Sequence, residues 1–279
     1  MLVTHHICFS KIKSSTLLAY LVKNAIPFKD TNGLITFDIC QDSIHWPVIE
    51  RFTKISKVTV LSETKFSTTE LKAAEWLSIR SQWRYGYPQP EGQFRYLEIT
   101  YDGKSYCKEC GSGLVQVNPF RMKNTPKWGN RHFMMLNWVN DELFVDDTVR
   151  NLFLTSRVSG CDFTSVCNSK GTAELLGCYQ LSVLKKADLG FVANQISVQN
   201  EYTCPACGCM KYHPSGIGKY HFPKGVLDDM PDICKTAEYF GWGKGADSLI
   251  LIRQKVYQLL VDNQLDRGLI FTPIEIVNE

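Results

Sequence analysis

An α+β fold built around an internal duplication is what this sequence predicts, on three observations. The stretch "YCKECGSG" (106–113) is echoed by "YTCPACGC" (202–209), so Cys107 and Cys110 correspond to Cys204 and Cys207, each pair followed at once by a glycine. An amphipathic segment lies downstream of each pair: Val145, Val149, Leu152 and Phe153 within 143–166 match Ile252, Val256, Leu259 and Leu260 within 250–274. That is the i, i+4, i+7, i+8 spacing of one buried helix face. Each segment then closes on Gly-x-x-Phe-Thr, Gly160 to Thr164 and Gly268 to Thr272, where glycine ends a turn and the apolar residues open a strand. Two copies packed about a pseudo-twofold axis bring their cysteine pairs together.

The N-terminal 92 residues stand outside this repeat and read as an additional mixed α/β region. Ser67 and Glu70 form a capping box ahead of Leu71, Ala74, Trp76 and Leu77, which predicts a helix running toward "YGYPQPEG" (85–92). The prolines and glycines of that stretch mark a linker and place a domain boundary near residue 92. The second domain, 93–279, divides into repeat one at about 93–177 and repeat two at about 178–279. Strand-like segments are expected ahead of each cysteine pair, "FRYLEITYDGKSY" (94–106) and "CYQLSVL" (178–184).

The cysteine spacing carries the chemistry. In a Cys-x-x-Cys-Gly turn both sulfurs face one ion, and a tetrahedral zinc needs two such turns. Cys107, Cys110, Cys204 and Cys207 are therefore the expected ligands of one structural Zn2+, although the pairs lie 97 residues apart. A shared ion closes that long loop and turns binding energy into folding energy. A thioredoxin-type redox pair should open a helix in a βαβ unit, and neither copy has that setting. The remaining cysteines, Cys161, Cys167 and Cys178 among them, lack knuckle spacing. A chain this long with eleven cysteines suits a reducing cytoplasm better than a disulfide framework, and no stretch reaches the length of a membrane span.

No phosphate-binding glycine run, dinucleotide fingerprint, nucleophile elbow or His-Glu-x-x-His occurs, so an enzyme is not expected. A metalloenzyme reading would rest on Cys209, His213 and His221, but no carboxylate stands beside them at general-base spacing. Two kinds of surface suggest partners. Arg121, Lys123, Lys127 and Arg131 interleave with Trp128 in the manner of single-strand nucleic-acid binders, against a net charge of only +3. The acidic runs 140–149 and 227–233 offer Asp141, Glu142, Asp146, Asp147, Asp228, Asp229 and Asp232 to a basic protein partner.

Two CxxCG knuckles, an acidic segment before the "LILIRQKVYQLL" helix and the closing "GLIFTPIEI" together resemble the double-CXXCG motif family, which is similar to bacterial polymorphic-toxin immunity proteins. The resemblance spans residues from about 94 to 279. It implies a cytoplasmic antidote that binds and neutralises a cognate antibacterial toxin in interbacterial competition, with the family's knuckle cysteines falling on Cys107, Cys110, Cys204 and Cys207. The alternative is a zinc-ribbon nucleic-acid-binding module, for which steep salt dependence would be diagnostic.

Overall fold

The computed structural model describes residues 1–56, 58–194 and 197–277, so the last two residues of the expected second repeat lie outside the described ones. The chain folds into two units. The first comprises Met1–Ser67 with the later segments Asn194–Gln199 and Pro214–Gly218. It holds β1 (Leu2–Ser10), α1 (Ser15–Lys23), β2 (Lys29–Thr31), β3 (Leu34–Cys40), α2 (Trp46–Ser56) and β4 (Thr59–Lys65). The sheet order β2-β3-β1-β4, antiparallel throughout, is the split β-α-β-β-α-β arrangement. Its cause is visible in the alternation of β1 and β3: Ile7, Phe9, Ile35, Phe37 and Ile39 turn inward onto Leu17 and Leu21 of α1 and Ile49 of α2.

The remaining elements are α3 (Thr68–Ala73), β5 (Trp76–Ser81), α4 (Tyr96–Thr100), β6 (Arg121–Met122), β7 (Phe133–Met134), β8 (Leu143–Val145), α5 (Asp147–Thr155), β9 (Cys161–Asn168) and β10 (Glu174–Val183). They continue with β11 (Val198–Thr203), β12 (Met210–Pro214), β13 (Tyr220–Pro223), β14 (Ile233–Lys235), β15 (Tyr239–Phe240), β16 (Ile250–Arg253), α6 (Gln254–Asp262) and β17 (Leu269–Val277). Two five-stranded sheets, β6-β9-β10-β8-β7 and β13-β17-β5-β16-β14, accompany a small sheet β11-β12-β15.

The two large sheets follow one pattern. In each, the first strand runs parallel to the second and every later neighbour is antiparallel. Registers correspond as well. Val145 stands opposite Tyr179 as Ile252 stands opposite Leu77; Thr164 faces Gln180 as Thr272 faces Ser78; Phe133 faces Val145 as Ile233 faces Ile252. The helices α5 and α6 each have nine residues and sit between equivalent strands. Both bury most of the expected face, Val149 and Phe153 in one and Val256 and Leu260 in the other, in a core shared with Leu77, Ile79, Leu181 and Ile233. Val145 and Ile252, expected on the same helix faces, belong instead to β8 and β16, the strands that lead into the helices. Gly160 and Gly268 take φ of 88° and 77° immediately before β9 and β17.

Further expectations are corrected. The helix started by Ser67 and Glu70 stops at Ala73, and Trp76 and Leu77 belong to β5, the central strand of a sheet. Leu77 follows Leu71 and Ala74 in steps of three, so it reads as a continuation of the helix face, and the alternation Leu77, Ser78, Ile79, Arg80 is too short to override that pattern. The N-terminal segment of the first unit runs to Ser67, and not to a boundary near residue 92, since β5 pairs with β16 and β17. The segment expected as a strand over 94–106 contains α4, whose Tyr96 and Thr100 are both buried at i, i+4. Among the described residues no helix is long and apolar enough to cross a membrane.

Candidate metal centre and the cavity beside it

Both cysteine pairs sit in turns of one design. Gly111 donates its N–H to the Cys107 carbonyl at 2.7 Å, and Gly208 does the same to Cys204 at 2.8 Å. The Cys107 N–H reaches the Ser112 carbonyl and the Cys204 N–H the Cys209 carbonyl, both at 2.9 Å. Glycine is needed after each pair because φ there is 81° and 72°. At Gly111 a side chain is excluded twice over, since a Cβ would overlap the Lys244 carbonyl.

The turns bring all four sulfurs within 4.8 Å of one another. Cys107 Sγ lies 3.8 Å from Cys204 Sγ, and Cys110 Sγ lies 3.6 Å from Cys207 Sγ. Tetrahedral ligands at a Zn–S distance of about 2.3 Å stand about 3.8 Å apart, so the spacing is that of a metal site. It is far too long for a disulfide, with S–S of about 2.05 Å, and all four cysteines are free. The residues present fit a four-thiolate ion. Ser112 Oγ adds a hydrogen bond to Cys110 Sγ at 3.1 Å. The thiol of Cys110 lies below its ordinary range: burial opposes this, but hydrogen bonds from Ser112 and the neighbouring thiols outweigh it. Cys207 is pushed up to about 11: the Cys209 backbone and Ser112 lower it, but burial together with the Cys107 and Cys110 side chains outweighs them. Unequal thiols in so small a space are what four like ligands show until a cation lets all of them ionise together.

Lys211 is a site residue that sequence reasoning missed. It lies fully buried on β12, four residues beyond Cys207, and donates to the carbonyls of Cys110 (3.0 Å), Gly243 (2.5 Å) and Gly245 (2.9 Å). This ammonium has no carboxylate partner among the described residues. Four thiolates around Zn2+ carry a formal charge of −2, and a buried cation bonded to the Cys110 carbonyl offsets it. Lys211→Met should therefore cost about 3 kcal/mol and weaken zinc retention, as read by chemical denaturation and chelator competition. A variant as stable as the parent would remove Lys211 from the metal centre.

Loop 243–247, which Lys211 holds, forms one wall of a cavity of about 550 Å³. Its floor carries Lys235, bonded to Glu142 at 2.6 Å and Asp141 at 3.4 Å; Glu142 also accepts from Gln180 Nε2 at 2.9 Å. Asp247, at the end of that loop, accepts from Asn140 Nδ2 at 3.0 Å, and Asn140 in turn accepts from Arg84 at 2.8 Å. Burial first, then repulsion from Asp141, raises Asp247 to about 7. An acid whose folded pKa is raised loses stability as pH climbs from its unfolded value through the folded one. Asp247→Asn should therefore stabilise the protein by about 2 kcal/mol at pH 8 and by almost nothing at pH 4. Melting curves at the two pH values check this; equal shifts at both would refute it.

The acidic residues proposed from sequence do not form one patch. Glu142 is committed to Lys235 and buried. Asp232 is buried, bonded to Lys255 at 2.7 Å and to the Ser159 N–H at 2.9 Å. Asp146 caps α5 through the Val149 N–H and pairs with His132 at 2.8 Å. Asp147 bonds the Tyr179 hydroxyl while remaining exposed, and Asp228 and Asp229 are exposed. In the basic and aromatic stretch, Trp128 is turned inward: its Nε1 donates to the Gly177 carbonyl and its ring packs edge-on against Trp83. Cys209, His213 and His221 form no ligand cluster among the described residues; the His213 ring is stacked on Trp242 at 3.7 Å.

No protein-family model matches the chain, and no curated protein matches it in sequence.

Proposed function

We propose that this protein is an immunity protein, a binder that neutralises a cognate toxin, whose two halves are duplicated units stapled by one structural zinc. The observation that carries the zinc is the tetrahedral spacing of Cys107, Cys110, Cys204 and Cys207. Four protein ligands saturate the ion, so it holds the chain and leaves no open position for a reacting water. Support for duplication comes from the matched sheets. The central strand β5 precedes the first knuckle but lies between β17 and β16, which follow the second; β10 precedes the second knuckle but lies between β9 and β8, which follow the first. Each unit thus lends its leading strand to the other, and the zinc ties the two knuckles that the exchange brings together.

Toxin capture rests on the resemblance of the knuckles and the C-terminal helix and strand to immunity proteins. An exchanged, metal-tied scaffold suits that work, because a preformed surface binds without first paying an ordering cost. Asp147, Asp228 and Asp229 are the exposed acids left for a basic partner. Changing these three to asparagine should slow association about tenfold at low salt and flatten its salt dependence, with the fold intact. The functional test is co-expression: growth should be rescued beside the toxin encoded by the neighbouring gene and not beside an unrelated toxin. A protein that rescues nothing and binds single-stranded nucleic acid with steep salt dependence would be the zinc-ribbon binder instead.

A further inference from the structure

The cavity beside the first knuckle has the parts of a ligand site that toxin capture does not require. Its volume of about 550 Å³ falls within the range of small-molecule pockets. Three non-glycine residues on its lining, Gln93, Phe94 and Trp138, hold φ of 54°, 57° and 69°. Side chains in this left-handed region are strained by about 1–2 kcal/mol each. Such strain persists where surrounding structure imposes it, and it concentrates at ligand clamps. Phe94 and Trp138, both on the lining, meet at 4.4 Å between centroids with their planes tilted by 46° yet remain 50% and 39% exposed, and Tyr96 lies nearly parallel to Trp138 at 6.2 Å.

The charges of the lining decide what accompanies a flat ring. Asp141 and Glu142 are both committed to Lys235. Among the described residues Lys108, Lys186 and Lys244 form no ion pair. Lys108 and Lys186 instead rest over the rings of Tyr106 and Tyr239. Lys235 balances one of the Asp141 and Glu142 carboxylates, so with Asp247 the lining carries four lysines against three acids and keeps a small positive excess. A cationic ligand would meet three free ammonium groups; an anionic one would be welcomed by them.

We propose that this cavity binds a free mononucleotide, its base laid against Trp138 and Phe94, the base edge read by Asn140 and Asp247, and its phosphate taken by Lys108, Lys186 and Lys244. Stacking supplies affinity for any planar ring, while the amide and carboxyl pair offers both a donor and acceptors to a base edge. The site is independent of the toxin-facing acids, so its test does not depend on that reading.

The full-length, zinc-loaded protein is titrated calorimetrically with AMP, CMP, GMP and UMP up to about 1 mM, with adenosine, inorganic phosphate, arginine amide and a 5′-phosphorylated oligonucleotide as separate arms. At least one mononucleotide should bind, more tightly than adenosine or phosphate. Trp138→Leu should weaken it about tenfold or more. The double variant Lys108→Gln/Lys244→Gln alters two exposed side chains; it should weaken the mononucleotide about tenfold and leave adenosine unchanged. Silence from all four mononucleotides, binding indifferent to both variants, preference for arginine amide, or binding of the oligonucleotide alone would each overturn the inference.

Discussion

Cys110→Ser and Cys204→Ser are each expected to lower the midpoint of thermal unfolding by more than about 10 °C, and the double variant by little more than either alone. Each substitution removes one ligand of the proposed ion, which keeps one cysteine of the same knuckle and two from the distant one. The loss is larger than that of a buried side chain. It opens a 97-residue loop, frees three thiols that had ionised together, and leaves Lys211 buried beside a centre that no longer carries the compensating charge. Once the ion is gone, a second substitution removes a ligand from a site that no longer exists. Metal analysis of the parent should find about one zinc per chain with cysteine-only ligation. A double variant costing the sum of the singles would mean that the two knuckles bind separate ions. Metal-free parent protein with the melting curve of the loaded form would dismiss the staple altogether.

How much of this was legible before the structure depended on how local each signal is. The knuckles were, because a tight turn that aims two sulfurs at one point needs a fixed spacing and a glycine at positive φ, as Gly111 and Gly208 show. The helices α5 and α6 were, because each carries a solvent face beside its apolar one, and the glycines at 160 and 268 mark where the strands after them begin. The strand β5 was not. Its alternation, Leu77, Ser78, Ile79, Arg80, spans only four residues, and Leu77 falls three residues after Ala74, so the strand attaches itself in sequence to the preceding helix. The placing of β5 between β17 and β16, and of β10 between β9 and β8, was equally hidden, because pairing partners leave no mark on a strand's own sequence.

The site was legible only in its covalent-like part. Cys107 and Cys204 announce themselves; Lys211 does not, since a single lysine in a short strand is ordinarily a solvated side chain. Its one signal is position, on a strand that opens directly after a knuckle. The cavity left no trace because Trp138, Asn140 and Asp247 sit in loops that only the folded sheets bring together. The acidic runs misled for a related reason: charge written consecutively in sequence is dispersed in space. Glu142 points inward to Lys235 while Asp147, five residues on, faces solvent.

That inward pair sets the second large effect. Lys235 and Glu142 keep only 10% and 11% of their side-chain surface in water and meet at 2.6 Å, with Asp141 adding a second carboxylate at 3.4 Å. Lys235→Met should destabilise the protein by about 3–5 kcal/mol at pH 8, since methionine fills the space but leaves Glu142 charged, buried and without a cation. Burial already raises the Glu142 pKa above its ordinary value, opposed by Lys235; without the lysine it must rise further. A folded pKa raised above the unfolded one makes stability fall as pH increases between the two, so the penalty should shrink steadily toward pH 4, where Glu142 is protonated in the folded variant. Lys235→Met/Glu142→Gln tests the cause. Glutamine keeps an acceptor and accepts from Gln180 without needing a counter-charge, so the double variant should recover most of the loss at pH 8 and show a flat pH profile. If the double variant is as unstable as Lys235→Met alone, or the single loss is the same at pH 4 as at pH 8, the cost belongs to packing around β14 and not to the uncompensated carboxylate.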